Sequence, residues 1–114
     1  RDVRDVLDGY RGQGMSADRW WRLLQHDGQD VGCLILADYP PADQMELVYL
    51  GILPEFRGRG FGLAATWHAL GMAAEGGRAH LTLAVDAQNG PAQALYRRAG
   101  FLRWDRKQVL LRFF

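Results

Sequence analysis

The chain has 114 residues, of which 48% are hydrophobic and 24% charged, a balance typical of one globular domain spanning 1–114. Fourteen Lys and Arg against thirteen Asp and Glu give a net charge of +1, which argues against a nucleic-acid or membrane partner. No apolar run approaches the ~18 residues that span a bilayer, and one cysteine with three histidines predicts no metal site and a reducing, cytoplasmic setting.

The first half of the chain predicts a helix followed by three strands. The opening residues read as the end of a helix, which Gly12 and Gly14 interrupt. The strands are predicted at 20–25, 31–37 and 45–52. Asp27-Gly28 is typical of a hairpin turn because both positions tolerate positive φ, and Pro54 ends the third strand.

The second half predicts helix, strand, helix and a final strand pair. A helix begins after Gly62, stops at Gly76-Gly77 and carries its apolar face on Leu63, Trp67, Leu70 and Ala74. A strand at 81–85 follows, and Asn89 caps a second helix that ends at Gly100. Residues 101–114 predict two short strands that reverse near 105–107.

The segment between the third strand and the first long helix has the character of an anion site. Arg57-Gly58-Arg59-Gly60-Phe61-Gly62 places free backbone N–H groups and the positive end of a helix dipole at one point. The glycines let the backbone approach a ligand, and the arginines add charge-assisted hydrogen bonds. The spacing fits neither an NTPase phosphate loop nor a dinucleotide-binding fold. A structural turn with solvated arginines is the alternative.

Two motifs resemble the GNAT superfamily of N-acetyltransferases. Arg57, Gly60 and Gly62 match its signature of Arg or Gln, two residues, Gly, one residue, then Gly or Ala. The run from Asn89 to Phe101 is similar to the family's Asn, Ala, Leu-Tyr and Gly-Phe segment. The resemblance implies an α/β (α+β) fold with a mixed, mostly antiparallel sheet flanked by helices. Against that pattern, the family's first strand and helix are expected to be missing from this sequence or supplied elsewhere.

The resemblance also implies acetyl-coenzyme A as co-substrate and a set of residues that bind it. Diphosphate would lie on the glycine loop, pantetheine would pair with the third strand, and the Leu50 N–H would face the thioester oxygen. Tyr96 would protonate the departing thiolate. The cofactor-binding set is Leu50, Gly51, Ile52, Arg57, Gly58, Arg59, Gly60, Phe61, Gly62, Asn89 and Tyr96. Asn89 as a plain helix cap and Tyr96 as an ordinary helix-face aromatic are the alternatives.

An attacking amine is a cation at neutral pH, so a base must take its proton. Glu46, the acidic residue within an apolar strand, is the candidate, with Tyr49 as an assistant or substitute. A solvent-facing carboxylate is an equally good interpretation of Glu46. His68 and His80 are expected to be surface or packing residues, and Cys33 to be buried in a strand. The four tryptophans are expected to be core, with Trp20 or Trp21 lining the acceptor pocket as the alternative.

The function predicted from these residues is direct acetyl transfer from acetyl-coenzyme A to a primary amine in a ternary complex. A non-catalytic acyl-coenzyme A binding or regulatory module is the alternative, and homodimerisation is compatible with the exposed terminal strands. The sequence does not identify the acceptor.

Overall fold

The structure, a computed structural model, describes residues 3–12, 18–85, 88–103 and 109–113. The α-helices in this part of the chain are α1 (Val3–Gly12), α2 (Phe61–Glu75) and α3 (Gly90–Arg98). The strands are β1 (Trp21–His26), β2 (Gln29–Tyr39), β3 (Gln44–Ile52), β4 (His80–Ala84), β5 (Leu102–Arg103) and β6 (Val109–Phe113). The predicted helix break at Gly14, the reversal near 105–107 and Trp104 lie outside the described residues.

The hairpin β1–β2 forms as its turn sequence predicts. Asp27 and Gly28 have φ values of 50° and 77°, the paired positive values that match the right-handed twist of the flanking strands. The second strand is longer than predicted and runs to Tyr39, where Pro40 and Pro41 end it.

The described strands form one mixed sheet in the order β1-β2-β3-β4-β6-β5. Each neighbouring pair is antiparallel except β3 and β4, which are parallel. This arrangement, with α2 connecting the parallel pair, confirms the fold class predicted from the sequence.

The parallel pair opens like a V. Only three residue pairs join β3 to β4, the last being Glu46 with Thr82, although β3 continues to Ile52. The edge of β3 beyond Glu46 therefore has no strand beside it in the described part of the chain.

A β-bulge in β3 lies at the mouth of this V. Ile35 pairs with Tyr49 and Leu36 with Leu47, so Val48 has no partner in β2. The extra residue changes which side chains share a face. Leu47 and Leu50 join the core under α2, whereas Val48 and Tyr49 pack toward α1.

The sheet separates two apolar clusters. The larger lies between the sheet and α2, and the smaller lies between the sheet and α1, where it includes Cys33 and Trp21 as predicted. The predicted face of α2 was wrong in part, because Trp67 is 50% exposed and Ala74 is exposed. The buried residues of α2 are Ala65, Thr66, Ala69, Leu70, Met72 and Ala73.

Hydrogen bonds at the start of β4 fix where the V begins. The Arg78 guanidinium donates to both carboxylate oxygens of Asp38, at 2.7 and 3.3 Å. The backbone N–H groups of Ala79 and His80 donate to the Asp43 carbonyl. These bonds hold the start of β4 against the β2–β3 turn. None of the described helices is long and apolar enough to cross a membrane.

Candidate active site

The loop before α2 has the backbone conformation that the glycines predict. Gly58 and Gly60 have φ values of 75° and 82°, in the left-handed region that favours glycine. A Cβ at either position would meet no atom within 4 Å, so glycine is favoured there by the backbone conformation and not by a lack of space. Gly62 differs, because a Cβ there would make ordinary contact with Leu95 at 3.6 Å.

The N-terminus of α2 presents unused donors. Gly60 is its N-cap residue and supplies no side-chain cap. The N–H groups of residues 58–63 donate to no acceptor in the described part of the chain, whereas Ala64 N–H donates to Gly60. Six adjacent donors at the positive end of a 15-residue helix are an arrangement that favours binding of an anion.

The two loop arginines are held by neutral groups. Arg57 Nε donates to the Ile52 carbonyl at 3.0 Å. The Arg59 guanidinium lies over the rings of Phe56 and Phe61, with 5.5 and 5.3 Å to the centroids. Because neither arginine forms a salt bridge within the described residues, both keep positive charge at the loop.

The open edge of β3 presents alternate backbone groups. Leu53 N–H donates to the Val31 carbonyl at 2.8 Å, so by the alternation of an antiparallel ladder Leu50 and Ile52 direct N–H and C=O away from β2. The Arg57 bond to the Ile52 carbonyl agrees. Gly51 directs its polar groups toward β2, and a Cβ on Gly32 would overlap its carbonyl oxygen. The Leu50 N–H therefore points away from β2, where a bound ligand could accept a hydrogen bond from it.

The loop and this edge border one groove of about 630 Å³, hereafter the groove. The predicted residues that line it are Leu50, Gly51, Ile52, Arg57, Gly58, Gly60, Phe61, Gly62 and Tyr96. Phe56 and the α3 residues Pro91, Ala92, Leu95 and Arg98 also line it and were missed. Their three- and four-residue spacing, which marks one helix face, was the signal that could have found them.

A smaller cavity of about 220 Å³ fills the V between β3 and β4, hereafter the V cavity. It shares Tyr49, Leu50, Ala92 and Tyr96 with the groove. The groove thus follows the loop and the outward edge of β3, and the V cavity adjoins it where the strands separate.

Tyr96 is the titratable residue of α3 that borders both spaces. Its ring contacts Phe101 edge to face at 5.7 Å. Burial raises the pKa of the Tyr96 phenol above its ordinary value of 10.0. The hydroxyl is therefore protonated at neutral pH and can donate a hydrogen bond or a proton.

Asn89 has the capping role that its position allows. Its Oδ1 accepts from Ala92 N–H at 3.2 Å, and the residue also lines the V cavity. The side-chain amide donates to no acceptor in the described part of the chain. One side chain can thus cap α3 and still offer a donor to a ligand.

Glu46 stands at the narrow end of the V. It is exposed, and its neighbours Met45 and Leu47 are buried under α2, so it points to the α1 side of the sheet. It does not line the groove or the V cavity. No cluster of three or more potential metal ligands exists among the described residues.

Comparison with known proteins gives three findings. Residues 8–101 match the family model of the Acetyltransferase (GNAT) family. Mycothiol acetyltransferase of Arthrobacter sp. (strain FB24) is 42% identical over 60 residues, which cover 53% of this chain and 19% of that enzyme. The mycothiol acetyltransferase of Thermobifida fusca (strain YX) is 33% identical over 95 residues, or 83% of this chain and 27% of that one.

The fold also has a close counterpart among solved structures. A GNAT family acetyltransferase from Elizabethkingia anophelis, with acetyl-CoA bound, superposes with a TM-score of 0.76 at 13% identity and covers 97% of this chain and 83% of that one. The chain spans between 19% and 27% of the length of the two curated relatives.

Proposed function

Because this chain belongs to the GNAT acetyltransferase family, we propose that it transfers an acetyl group from acetyl-CoA to a primary amine by direct attack in a ternary complex. One observation carries the proposal. A single groove is lined by Gly58 and by residues 60–63, whose N–H groups are unused, and by the outward backbone edge of β3. Its two ends suit a diphosphate and a peptide-like chain, which are the two parts of coenzyme A between adenosine and thiol.

Acetyl-CoA would supply the acetyl group as a thioester. The loop N–H groups, with Arg57 and Arg59 beside them, would hold the diphosphate, since each hydrogen bond to a charged group contributes about 1.5–3 kcal/mol. Leu50 and Ile52 would pair with the pantetheine amides as an added strand does. The donor at Leu50 would stabilise negative charge on the thioester oxygen without reorganising.

Two proton transfers complete the proposal. Glu46, on the α1 side of the V, would take a proton from the acceptor ammonium, directly or through water, and Tyr49 could assist it. Tyr96, protonated at neutral pH, would donate a proton to the departing thiolate. The acetyl-CoA bound to the Elizabethkingia protein supports the choice of co-substrate.

The test compares two valine variants. Gly60→Val and Gly77→Val both place a branched residue at positive φ, 82° and 77°, with open space around it, so both should lose similar stability. Only Gly60→Val, which alters the loop, should lose affinity for acetyl-CoA in calorimetry, by a factor of about 100 or more if two charged hydrogen bonds are lost.

Thiol release from acetyl-CoA over a panel of primary amines tests the transfer itself. Release that depends on the amine supports the enzyme. Binding of acetyl-CoA without release over the whole panel would favour the non-catalytic module instead, and equal binding by Gly60→Val and the parent would overturn the assignment of the loop.

A further inference from the structure

A third cavity lies on the other side of β3 from the V cavity, beneath α1. It has a volume of about 260 Å³, hereafter the α1-side cavity. Four of its residues, Tyr49, Gly51, Ile52 and Arg57, also line the groove. The two spaces therefore lie next to each other at the end of β3.

Tyr49 is the residue that borders the groove, the V cavity and the α1-side cavity alike. Its phenol lies over Gly51, where an added Cβ would be 2.5 Å from the hydroxyl oxygen and 2.8 Å from two ring carbons. Glycine at position 51 thus makes room for this ring. The bulge at Val48 places Tyr49 on the α1 side of the sheet. The residue nevertheless also lines the groove and the V cavity.

The remaining wall of the α1-side cavity is apolar. It consists of Val3, Val6, Cys33, Leu53 and Pro54. Among the residues that the structure describes, no carboxylate lines the cavity, and Arg57 is the lining residue that carries charge. A second cationic group on a ligand would lose its hydration here without gaining a partner.

We propose that the α1-side cavity binds the acceptor, and that the acceptor is a primary amine with a short apolar body. This inference rests on the proposed function. The alkyl body would lie on the valines of α1 and on Leu53, with the amine at Tyr49 facing the groove. The positive charge of Arg57 would disfavour an ammonium in this cavity, so the acceptor would be bound as the neutral amine, which can attack, after Glu46 has taken its proton. The Tyr49 hydroxyl would accept a hydrogen bond from that amine.

The first experiment measures kcat/KM for linear alkylamines from ethylamine to hexylamine, with saturating acetyl-CoA. Each added methylene should raise kcat/KM by about threefold to fourfold until the cavity is full. Putrescine, which is butylamine with a second ammonium, should be at least about 100-fold poorer than butylamine because the buried charge has no partner. A flat series, or putrescine as the better substrate, would overturn the proposal.

Variants of α1 locate the effect. Val6→Phe fills the α1-side cavity and should abolish the preference for longer amines, whereas Val6→Ala enlarges it and should move the optimum to a longer chain. Ala64→Leu fills a different cavity, between α2 and the β1–β2 hairpin, and should leave the preference unchanged. All three should bind acetyl-CoA as the parent does. If Val6→Phe does not fold, Val6→Ala alone decides.

Tyr49→Phe tests the junction. It should lower kcat at least tenfold for every amine while acetyl-CoA affinity stays within twofold, since only the hydroxyl is removed. An unchanged kcat would contradict the role of Tyr49.

A binding measurement separates this inference from the proposed function. Butylamine added to the acetyl-CoA complex should shift the methyl NMR signals of Val3 and Val6 but not that of Val85, which lines the V cavity. If acetyl-CoA binds and no amine releases thiol, the proposed function fails, while these shifts still support the cavity as an amine site. Absence of shifts at Val3 and Val6 overturns the inference.

Discussion

Tyr96 shows how the surroundings of one residue decide its chemistry. Its ring contacts Phe101 edge to face, and the residue lines both the groove and the V cavity. Because burial raises the phenol pKa above 10.0, the acid form persists through the neutral range. A proton donor for a thiolate needs that property.

Tyr96→Phe keeps the ring and removes the proton. We expect kcat to fall by about 10²–10⁴, the usual contribution of a positioned acid or base, while the Kd for acetyl-CoA stays within about twofold. Steady-state thiol release and calorimetry measure the two quantities. Tyr39→Phe is the matched control, because Tyr39 is 57% exposed and lines neither the groove nor the V cavity. A parallel loss of affinity would instead indicate a packing role for Tyr96.

For individual residues, the sequence predicts those whose role follows from backbone conformation or helix capping. Gly58 and Gly60 adopt positive φ, and Asn89 caps α3, as their types suggest. The position of Tyr49 could not be predicted, because it depends on the bulge at Val48. Strict alternation along β3 would place Tyr49 on the same side of the sheet as Leu47, which is the α2 side. The unpaired Val48 breaks this alternation and places Tyr49 on the α1 side.

The placement of β3 depends on one close approach between strands. A Cβ on Gly32 would overlap the carbonyl oxygen of Gly51, which is backbone and cannot rotate away. Since Gly51 and its neighbours form the outward edge, the approach of β2 helps to position the groove.

Gly32→Ala should therefore destabilise the fold by about 1–3 kcal/mol, the usual cost of overpacking. Gly71→Ala is the matched control. Gly71 is exposed within α2 and an added Cβ meets nothing within 4 Å, so it should stabilise the fold by about 0.5–1 kcal/mol. Urea unfolding followed by tryptophan fluorescence gives both free energies. Equal stability of Gly32→Ala and the parent would show that β3 can shift without cost.

The face of α2 shows where element-level prediction stops. Because α2 is apolar on almost every face, its sequence pattern does not identify which stripe is buried. The prediction placed the large residue Trp67 in the buried stripe. In the structure small residues face the sheet, with Ala65, Ala69 and Ala73 at four-residue spacing, and Trp67 is half exposed. Which stripe is buried depends on how closely α2 approaches the sheet, which no local pattern encodes.

The whole molecule divides its site between the two faces of the sheet. The loop, the groove and Tyr96 belong to the α2 side, whereas Glu46, Tyr49 and the α1-side cavity belong to the other. The V between β3 and β4 joins the faces. In the proposed reaction, a thioester and an amine would enter from opposite sides and meet there.

Cys33 links this architecture to the pH dependence of stability. It is 2% exposed in the cluster under α1, and burial raises the pKa of its thiol from the ordinary value of 9.0 to about 11. Between these values the unfolded chain has released a proton that the folded chain still binds. The thiol therefore contributes nothing to pH dependence below pH 9, and stability falls as the pH rises from 9 to 11.

The Cys33 contribution to this fall should be up to about 3 kcal/mol. Cys33→Ala lacks the thiol, so its unfolding free energy should fall less steeply over that interval. At pH 7 the variant should be less stable than the parent, because alanine fills less of the buried space. Urea unfolding of both proteins at pH 7, 9, 10 and 11 measures the difference, and buried Tyr96, common to both, cancels from it. Parallel curves from pH 9 to 11 would mean that the Cys33 thiolate finds solvent in the folded state, through the cavity that borders it.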